Sequence, residues 1–191
     1  HRSWRFLGKF RALEACTQGS DEELLIFMDA DALLLRRLDD QTVRTALDQH
    51  PLGMVEQTTI TGSAMNRAGF WEHYRQHSLA FIAPNLAPPS PSAFRYFNSG
   101  VVLAHRLAIA EIAGWALSEI SRSGSDHNIG QHMIADQDYF QVWTNTLHPG
   151  SCHELSWEWN HCEYWDTGFP RRRARIAHFS NFCNGPAPNT A

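Results

Sequence analysis

The sequence has almost no lysine, little net charge and no long apolar run. Of its 191 residues, 16 are Lys or Arg and 20 are Asp or Glu, so the formal net charge is -4. This balance lacks the basic excess of nucleic-acid-binding proteins, and we expect no nucleic-acid partner. No apolar run reaches the roughly 18 residues that a membrane-spanning helix needs, and no signal peptide is visible. We therefore expect no transmembrane segment and a cytoplasmic location; peripheral membrane association, or an anchor upstream of His1, stays open.

Cysteine is scarce, and no Cys-x-x-Cys pair occurs among the 4 cysteines. A disulfide framework is not expected in a chain of this length, so reduced thiols are favoured. Cys152, His153, His161 and Cys162 superficially look like zinc ligands, but they lack the spacing of structural zinc sites. Zinc binding by these four residues is therefore the less favoured interpretation.

Hydrophobic residues make up 43% of the chain and aromatic residues 12%, which fits one packed domain spanning 1–191. The apolar patterns predict helices and strands that alternate. The predicted helices are 4–18, 38–50 (capped by Asp39 or Asp40), 67–81, 107–122 and 135–146 (capped by Asp136). The predicted strands are 24–30 (buried and parallel), 51–57, 101–104 (opened by a turn at 98–100) and one near 176. The alternation indicates an α/β fold whose sheet has parallel character.

The apolar stretch LLIFMDADALLL, residues 24–35, contains two aspartates one residue apart, Asp29 and Asp31. A buried carboxylate without a partner is costly. Where a strand of an open α/β sheet ends, such a pair can hold Mg²⁺ or Mn²⁺ together with substrate phosphates. The pattern also fits a strand that ends in solvent, and a second Asp-x-Asp occurs at Asp136 and Asp138. The spacing alone leaves both interpretations open.

Several blocks follow one another along the chain: IFMDADALLL, YFNSGVVLAHR, DQDYFQVW, ELSWEWN and IAHFSNFCNGP. In this order they resemble the GT-A glycosyltransferases of the glycogenin and bacterial galactosyltransferase type, glycosyltransferase family 8. The resemblance implies a GT-A fold, a mixed α/β sheet flanked by helices. It also implies metal-dependent transfer of a hexose, from a donor such as UDP-glucose or UDP-galactose to an acceptor hydroxyl, with retention of configuration. The acceptor would be a glycan, a lipid-linked sugar or a protein.

The resemblance also assigns roles to individual residues. It places Mn²⁺ or Mg²⁺ on Asp29, Asp31 and His178, and it places the catalytic positions at Asp136 and Gln137. The donor-binding residues that it implies are Lys9, Asp29, Asn98, Ser99, Gly100, Asn184 and Gly185. Whether either catalytic residue acts covalently, or the diphosphate guides attack on the same face, stays open.

The chain departs from the family in two places. Relatives carry a C-terminal lysine that contacts the pyrophosphate, whereas this chain has Asn181 and Asn184 there, followed by Gly185. The arginine cluster at 171–175 is the nearest replacement in sequence, although such a cluster is also typical of a solvated surface. The family's first strand-loop unit, which holds uridine, would precede His1, so we expect that unit to be lacking. The segment 58–95 is expected to be irregular and to shape the acceptor side.

Two other functions compete with the transferase. A haloacid-dehalogenase-like phosphatase also places Asp-x-Asp after an apolar strand, but it needs a small polar residue soon afterwards and a later lysine. Here Leu33 to Leu35 follow, and the only lysine, Lys9, lies upstream. The second alternative is a catalytically inactive sugar-nucleotide-binding or scaffolding domain, which the missing C-terminal lysine favours.

Overall fold

The computed structural model describes residues 4–57, 66–123, 128–129, 132–162 and 168–179. The helices are α1 (Trp4–Gly19), α2 (Asp40–Leu47), α3 (Arg67–His73), α4 (Ala80–Ile82), α5 (Arg106–Ser123) and α6 (Asp136–Val142). The strands are β1 (Leu24–Met28), β2 (Ala32–Leu34), β3 (Leu52–Glu56), β4 (Phe97–His105), β5 (Asn128–Ile129), β6 (His132–Met133), β7 (Cys152–Leu155), β8 (His161–Cys162) and β9 (Ile176–His178). A π-helical segment, Tyr74–Leu79, joins α3 to α4, and another, Trp143–Leu147, extends α6.

The described strands form a main sheet, a small second sheet and a separate two-stranded pair. The main sheet is 4-stranded in the order β1-β4-β3-β7, the second is 3-stranded in the order β2-β9-β8, and β5 pairs with β6. The β3–β7 and β8–β9 pairs are parallel, and the other pairs are antiparallel. The sheets are therefore mixed, and the parallel character expected from the alternating pattern holds for two pairs.

Strand β4 lies inside the main sheet, and both of its faces are covered. Successive side chains of a strand point to opposite faces. Val102 and Ala104 belong to the core beneath α1, α5 and α6, whereas Val101 and Leu103 pack in a second core with α2. Phe10 of α1 is fully buried in the first core, which stabilises the fold by about 2–3 kcal/mol. Layers of helix on both faces confirm the mixed α/β class with flanking helices.

Two strand predictions were wrong in detail. The first strand, β1, pairs antiparallel with β4 and is only partly buried, with Ile26 36% exposed, because in the described sheet it has one neighbour. Residues 98–100 do not form a turn before a strand; they lie within β4 and are buried. The backbone of β4 therefore carries Asn98, Ser99 and Gly100 directly into the site described below.

Two predictions about helices, the cap of α2 and the helix at 67–81, are confirmed. Asp39 caps α2, since its carboxylate accepts a hydrogen bond of 2.8 Å from the N–H of Thr42. The helix expected at 67–81 is present as α3, the π segment and α4, and the described residues 83–95 that follow it contain no helix or strand. Residues 58–65 lie outside the described ranges. Within those ranges, no helix has the length and apolar character to cross a bilayer.

Candidate active site

The Asp-x-Asp pair occupies a tight turn between the two sheets. The N–H of Asp29 donates to the carbonyl of Gly100 at 2.8 Å, which continues the β1–β4 pairing by one residue. The N–H of Ala32 then donates to the carbonyl of Asp29 at 2.9 Å and closes the turn. The Asp29 side chain is 31% exposed and that of Asp31 is 47% exposed. Both carboxylates therefore leave the apolar strand and reach a solvent-accessible cleft.

The register of the second sheet brings His178 to this turn. Ala32 is paired with His178 across β2 and β9, and the N–H of Phe179 donates to the carbonyl of Asp31 at 3.0 Å. His178 Nε2 consequently lies 3.2 Å from Asp31 Oδ1 and 3.9 Å from Asp29 Oδ2. One ligand atom from each of the three side chains lies within 4.8 Å of the others. The structure thus brings together the two acids and the histidine that the sequence placed at opposite ends of the chain.

A chain of buried hydrogen bonds sets the tautomer of His178. The N–H of Gly100 donates to Asn98 Oδ1 at 2.8 Å, and Asn160 Nδ2 donates to the same oxygen at 2.9 Å. Asn160 therefore turns its Oδ1 toward His178 Nδ1, 3.0 Å away, and this acceptor requires the hydrogen to be on Nδ1. In the neutral ring, Nε2 then presents a lone pair to the two carboxylates. Three electron-pair donors that face one another are mutually repulsive, and a divalent cation satisfies all of them.

Glycine is required at position 100 by the approach of the His178 ring. A Cβ built on Gly100 would lie 2.5 Å from His178 Nδ1, which is far inside van der Waals contact. The ring is 3% exposed and is held by Asn160, so it has little room to withdraw. The close packing of the β4 backbone on the histidine fixes the position of Nε2 over the Asp-x-Asp turn.

Lys9, the only lysine of the chain, joins the two acidic pairs. Its Nζ lies 2.9 Å from Asp29 Oδ1 and 2.5 Å from Asp136 Oδ2, and it donates to the carbonyl of Ser99 at 3.0 Å. Burial raises the pKa of Asp29; the ammonium of Lys9 lowers it in part, and the carboxylate of Asp136 raises it further. An ammonium has three donors, and these contacts engage all three. The lysine therefore holds the acids in place and neutralises part of their charge.

Asp136 faces the site because Asp138, and not Asp136, serves the end of α6. The prediction that Asp136 caps this helix was wrong: Ala135 is the cap residue, and its N–H donates to Asp138 Oδ2 at 2.8 Å. Asp138 also accepts a hydrogen bond from Ser78, and burial raises its pKa. Asp136, 5% exposed, instead accepts from Ser99 Oγ at 2.8 Å and from Lys9.

Gln137 lies beside the same stretch of β4. Its Oε1 accepts a long hydrogen bond of 3.4 Å from the N–H of Ser99, and its Nε2 donates to Gln57 Oε1 at 3.3 Å. Tyr96 also contacts the Gln137 side chain, while burial raises the pKa of this tyrosine. The amide of Gln137 is thereby held close to Asp136, between the ends of β3 and β4.

An open cleft of about 530 Å³ runs along these residues. It is lined by Gly8, Lys9, Ala12, Phe27, Asp29, Ala30, Asp31 and Asp136. A second hollow of about 360 Å³ shares Asp31 and is bordered by Phe179. The guanidinium of Arg171 lies 5.3 Å from the ring of Phe179, so the arginine cluster approaches this second hollow. A partly open cleft that has a largely apolar wall, with carboxylates and one ammonium beside it, suits a ligand that carries both a sugar and phosphates.

Some expected residues play a different part or cannot be placed. Asn98 is 4% exposed, and its Oδ1 is used inside the protein, so it lies behind the histidine. The expected donor-binding residues Asn184 and Gly185 lie outside the described residues. Asn160 was missed, although it ends the block ELSWEWN; that block was the only sequence signal for it.

The zinc interpretation of Cys152, His153, His161 and Cys162 is wrong. Within the described residues, two groups of three or more side chains can hold a metal, and neither group contains Cys152, His161 or Cys162. The described cysteines are free thiols, as expected, and burial raises the pKa of the Cys152 thiol. His153 belongs to the second group, with Asp48 and His50.

No protein-family model matches the sequence, and no curated protein matches it. Among solved structures, an active-site mutant of LgtC matches with a TM-score of 0.52 and 16% identity over 94% of this chain and 59% of that one. LgtC with donor and acceptor sugar analogs, titled a galactosyltransferase, matches with a TM-score of 0.49 and 17% identity over the same shares, 94% and 59%. Mouse xyloside xylosyltransferase 1 matches with a TM-score of 0.48 and 19% identity over 94% of this chain and 64% of that one.

The first of these matches confirms the GT-A fold expected from the sequence resemblance. The chain spans 59% of the length of LgtC. Membership of glycosyltransferase family 8, and the roles assigned to individual residues, remain predictions.

Proposed function

We propose that this chain transfers a sugar from a nucleoside diphosphate sugar to an acceptor hydroxyl in a metal-dependent reaction. One observation carries the proposal: one ligand atom from each of Asp29, Asp31 and His178 lies within 4.8 Å of the others, at the end of a strand of a GT-A fold. A hexose donor and retention of configuration follow from the sequence resemblance. The acceptor is proposed to be a glycan, a lipid-linked sugar or a protein.

Asp29, Asp31 and His178 would hold the metal ion. A ligand set with one imidazole and two carboxylates suits Mn²⁺ better than Mg²⁺, which prefers oxygen ligands alone. When bound, such an ion supplies positive charge that stabilises the diphosphate leaving group. Asn160 keeps the hydrogen of His178 on Nδ1, so Nε2 remains available as a ligand.

Lys9 positions Asp29 and Asp136, which both line the cleft. Because its ammonium already contacts Asp29, Asp136 and the Ser99 carbonyl, it would contact the donor only by exchanging one of these bonds. Asp136 uses Oδ2 for both Lys9 and Ser99, and among the described residues this leaves Oδ1 for a sugar hydroxyl. We infer that Asp136 orients the sugar, together with the neighbouring Gln137 amide.

Chelation of the metal is expected to abolish donor turnover. UDP-glucose, UDP-galactose and UDP-xylose are incubated with the protein in Mn²⁺ and in EDTA, and released UDP is measured. At least about a 100-fold difference is expected, because the metal's stabilisation of the leaving group is worth several kcal/mol. Readdition of Mn²⁺ to the chelated sample is the control, and turnover is expected to return.

This assay and two further measurements separate the rival functions. Equal UDP release with and without EDTA would contradict the metal-dependent proposal. Donor binding without turnover, measured by calorimetry, would support the inactive domain. Hydrolysis of p-nitrophenyl phosphate would support the phosphatase. Preference for the xylose donor would replace the hexose assignment with a pentose.

Asn160→Leu is expected to weaken Mn²⁺ binding by about 10- to 100-fold, which is the usual cost of losing a residue that orients a metal ligand. Leucine has nearly the shape of asparagine but cannot accept the hydrogen from His178 Nδ1. The dissociation constant is measured from the electron paramagnetic resonance signal of unbound Mn²⁺.

Asn145→Leu is the matched control, since this amide is also buried but bonds the backbone of Arg95 instead of a residue of the site. It is expected to lower stability with no change in Mn²⁺ affinity. If both variants bind Mn²⁺ as the unmodified protein does, Asn160 does not position the ligand.

A further inference from the structure

A second group of metal-ligating side chains lies on a different part of the fold. Asp48 and His50 belong to the turn between α2 and β3, and His153 is on β7. One ligand atom from each lies within 4.8 Å of the others. The rings of His50 and His153 have centroids 4.9 Å apart.

This group is remote from the candidate active site. On β4, Ala104 pairs with Leu52, two residues after His50, while Val101 pairs with Met28, which immediately precedes Asp29. These two positions are three residues apart along β4, which corresponds to about 10 Å. Asp29 lies beyond the Val101 end of this stretch, and His50 lies beyond the Ala104 end. The two groups are therefore too far apart to bind one ion together.

The turn that carries Asp48 and His50 adopts an unusual conformation. Asp48 and Gln49 both lie in the left-handed region, with φ of 44° and 66°. Residues other than glycine occupy this region rarely and at some cost in free energy. The His50 N–H donates to the carbonyl of Leu47 at 2.8 Å and closes the turn. The result places a carboxylate and an imidazole from the same turn beside His153.

Hydrogen bonds also set the tautomer of His50. Its Nδ1 lies 2.9 Å from the carbonyl of Asp48 and 3.2 Å from the carbonyl of Leu47. Carbonyl oxygens only accept, so Nδ1 carries the hydrogen, and Nε2 of the neutral ring carries a lone pair. A backbone carbonyl on the second ring nitrogen is the arrangement that orients histidine ligands in metal sites.

We propose that Asp48, His50 and His153 form a second metal site for a borderline ion, Zn²⁺ in particular. Two imidazoles and one carboxylate match the preference of zinc, and water would complete a tetrahedral shell. Cys152 is not a ligand, because the neighbouring position on a strand faces the opposite way and this cysteine packs against the main core. The ion would tie the α2–β3 turn to β7 and thereby stabilise the edge of the main sheet.

Calorimetric titration of Zn²⁺ tests the proposal in the Asp31→Asn background, where the active-site group is disabled. One Zn²⁺ per chain is expected, with a dissociation constant on the order of micromolar, and His153→Gln is expected to weaken it at least about 100-fold. Zn²⁺ in about 100-fold excess over its dissociation constant is also expected to raise the melting temperature by about 5 °C. His153→Gln should remove this increase and leave Mn²⁺-dependent UDP release by the otherwise unmodified protein unchanged.

His148→Gln is the control for nonspecific binding by surface histidines, since His148 is more exposed than His50 and His153, stacks on Trp143 and is not part of this group. It should bind Zn²⁺ with unchanged affinity. His50→Gln provides a second, independent variant that should reproduce the loss if His153→Gln is poorly folded. Zn²⁺ binding with the same stoichiometry and affinity in the His50 and His153 variants would overturn the proposal, as would the absence of any Zn²⁺ binding.

Discussion

Asp31→Asn is expected to lower metal-dependent UDP release by about 1,000-fold, because loss of a charged ligand removes several kcal/mol of leaving-group stabilisation. Asparagine keeps the shape of the side chain and one oxygen, but it lacks the negative charge that holds a divalent cation. Mn²⁺ titration followed by electron paramagnetic resonance should show the loss of binding directly. Turnover and Mn²⁺ affinity should therefore fall together.

The fold should survive this substitution. The Asp31 side chain is 47% exposed, and its described polar contact is with His178. A change at such a position is expected to alter the free energy of unfolding by less than about 0.5 kcal/mol, so the melting temperature should stay within about 2 °C. Asp21→Asn, an exposed aspartate in the segment before β1, is the matched control and should change neither quantity. Undiminished turnover in Asp31→Asn would remove the metal assignment.

The sequence pointed to Asp29, Asp31 and His178 as candidate metal ligands, but not to the contacts that bring them together. The turn after an apolar strand located Asp29 and Asp31, and the order of the blocks pointed to His178. What brings them together is the pairing of Ala32 with His178 across β2 and β9. These strands are only three residues long, and segments this short carry too little periodic signal to reveal a partner far along the chain.

The direction of β1 illustrates the same limit. An apolar run of five residues fits a parallel or an antiparallel strand, and its neighbour β4 follows only after two intervening strands.

The assignment of Asp136 as a cap failed for a related reason. Asp136 and Asp138 both lie in the first turn of α6, and the choice between them depends on Lys9, which comes from another helix. Local patterns identify candidates, whereas long-range charge pairing selects among them.

The group formed by Asp48, His50 and His153 escaped prediction because it depends on backbone conformation. Nothing in the sequence around Asp48 and Gln49 shows that two successive residues other than glycine adopt the left-handed region. Only this turn conformation brings the side chains of Asp48 and His50 close to His153. The sequence drew attention to His153 only through its neighbour Cys152, which faces the other way.

Lys9→Met is expected to lower the free energy of unfolding by about 3 kcal/mol at pH 7. Removing one partner of a buried ion pair costs about 3–5 kcal/mol, because the remaining charge stays buried without compensation. Here the Lys9 and Asp136 side chains are 8% and 7% exposed, while Asp29, at 31%, retains some solvent. Because Asp29 keeps some contact with solvent, we expect a loss of stability at the lower end of this range of about 3–5 kcal/mol. Urea unfolding, followed by tryptophan fluorescence, measures it.

A matched substitution separates burial from simple loss of an ion pair. Arg44→Met breaks the contact between Arg44 and Glu23, whose side chains are 42% and 62% exposed. Exposed pairs contribute about 1 kcal/mol or less, so this variant should be close to the unmodified protein. Equal stability losses in the two variants would show that the buried contacts of Lys9 contribute no more to stability than an exposed ion pair does.

The loss in free energy of unfolding caused by Lys9→Met should also depend on pH. The direction of this dependence follows from the pKa of Asp29. Burial already raises its folded-state pKa above the unfolded value, so the folded protein favours the protonated carboxyl. Stability is therefore lost as pH rises through the window between the unfolded and the folded pKa. Removing the ammonium raises the folded pKa of Asp29 further and widens that window. The loss of stability should be largest at pH 7 and smaller near pH 4, whereas a deficit that is independent of pH would mean that lost packing, and not uncompensated charge, is the cause.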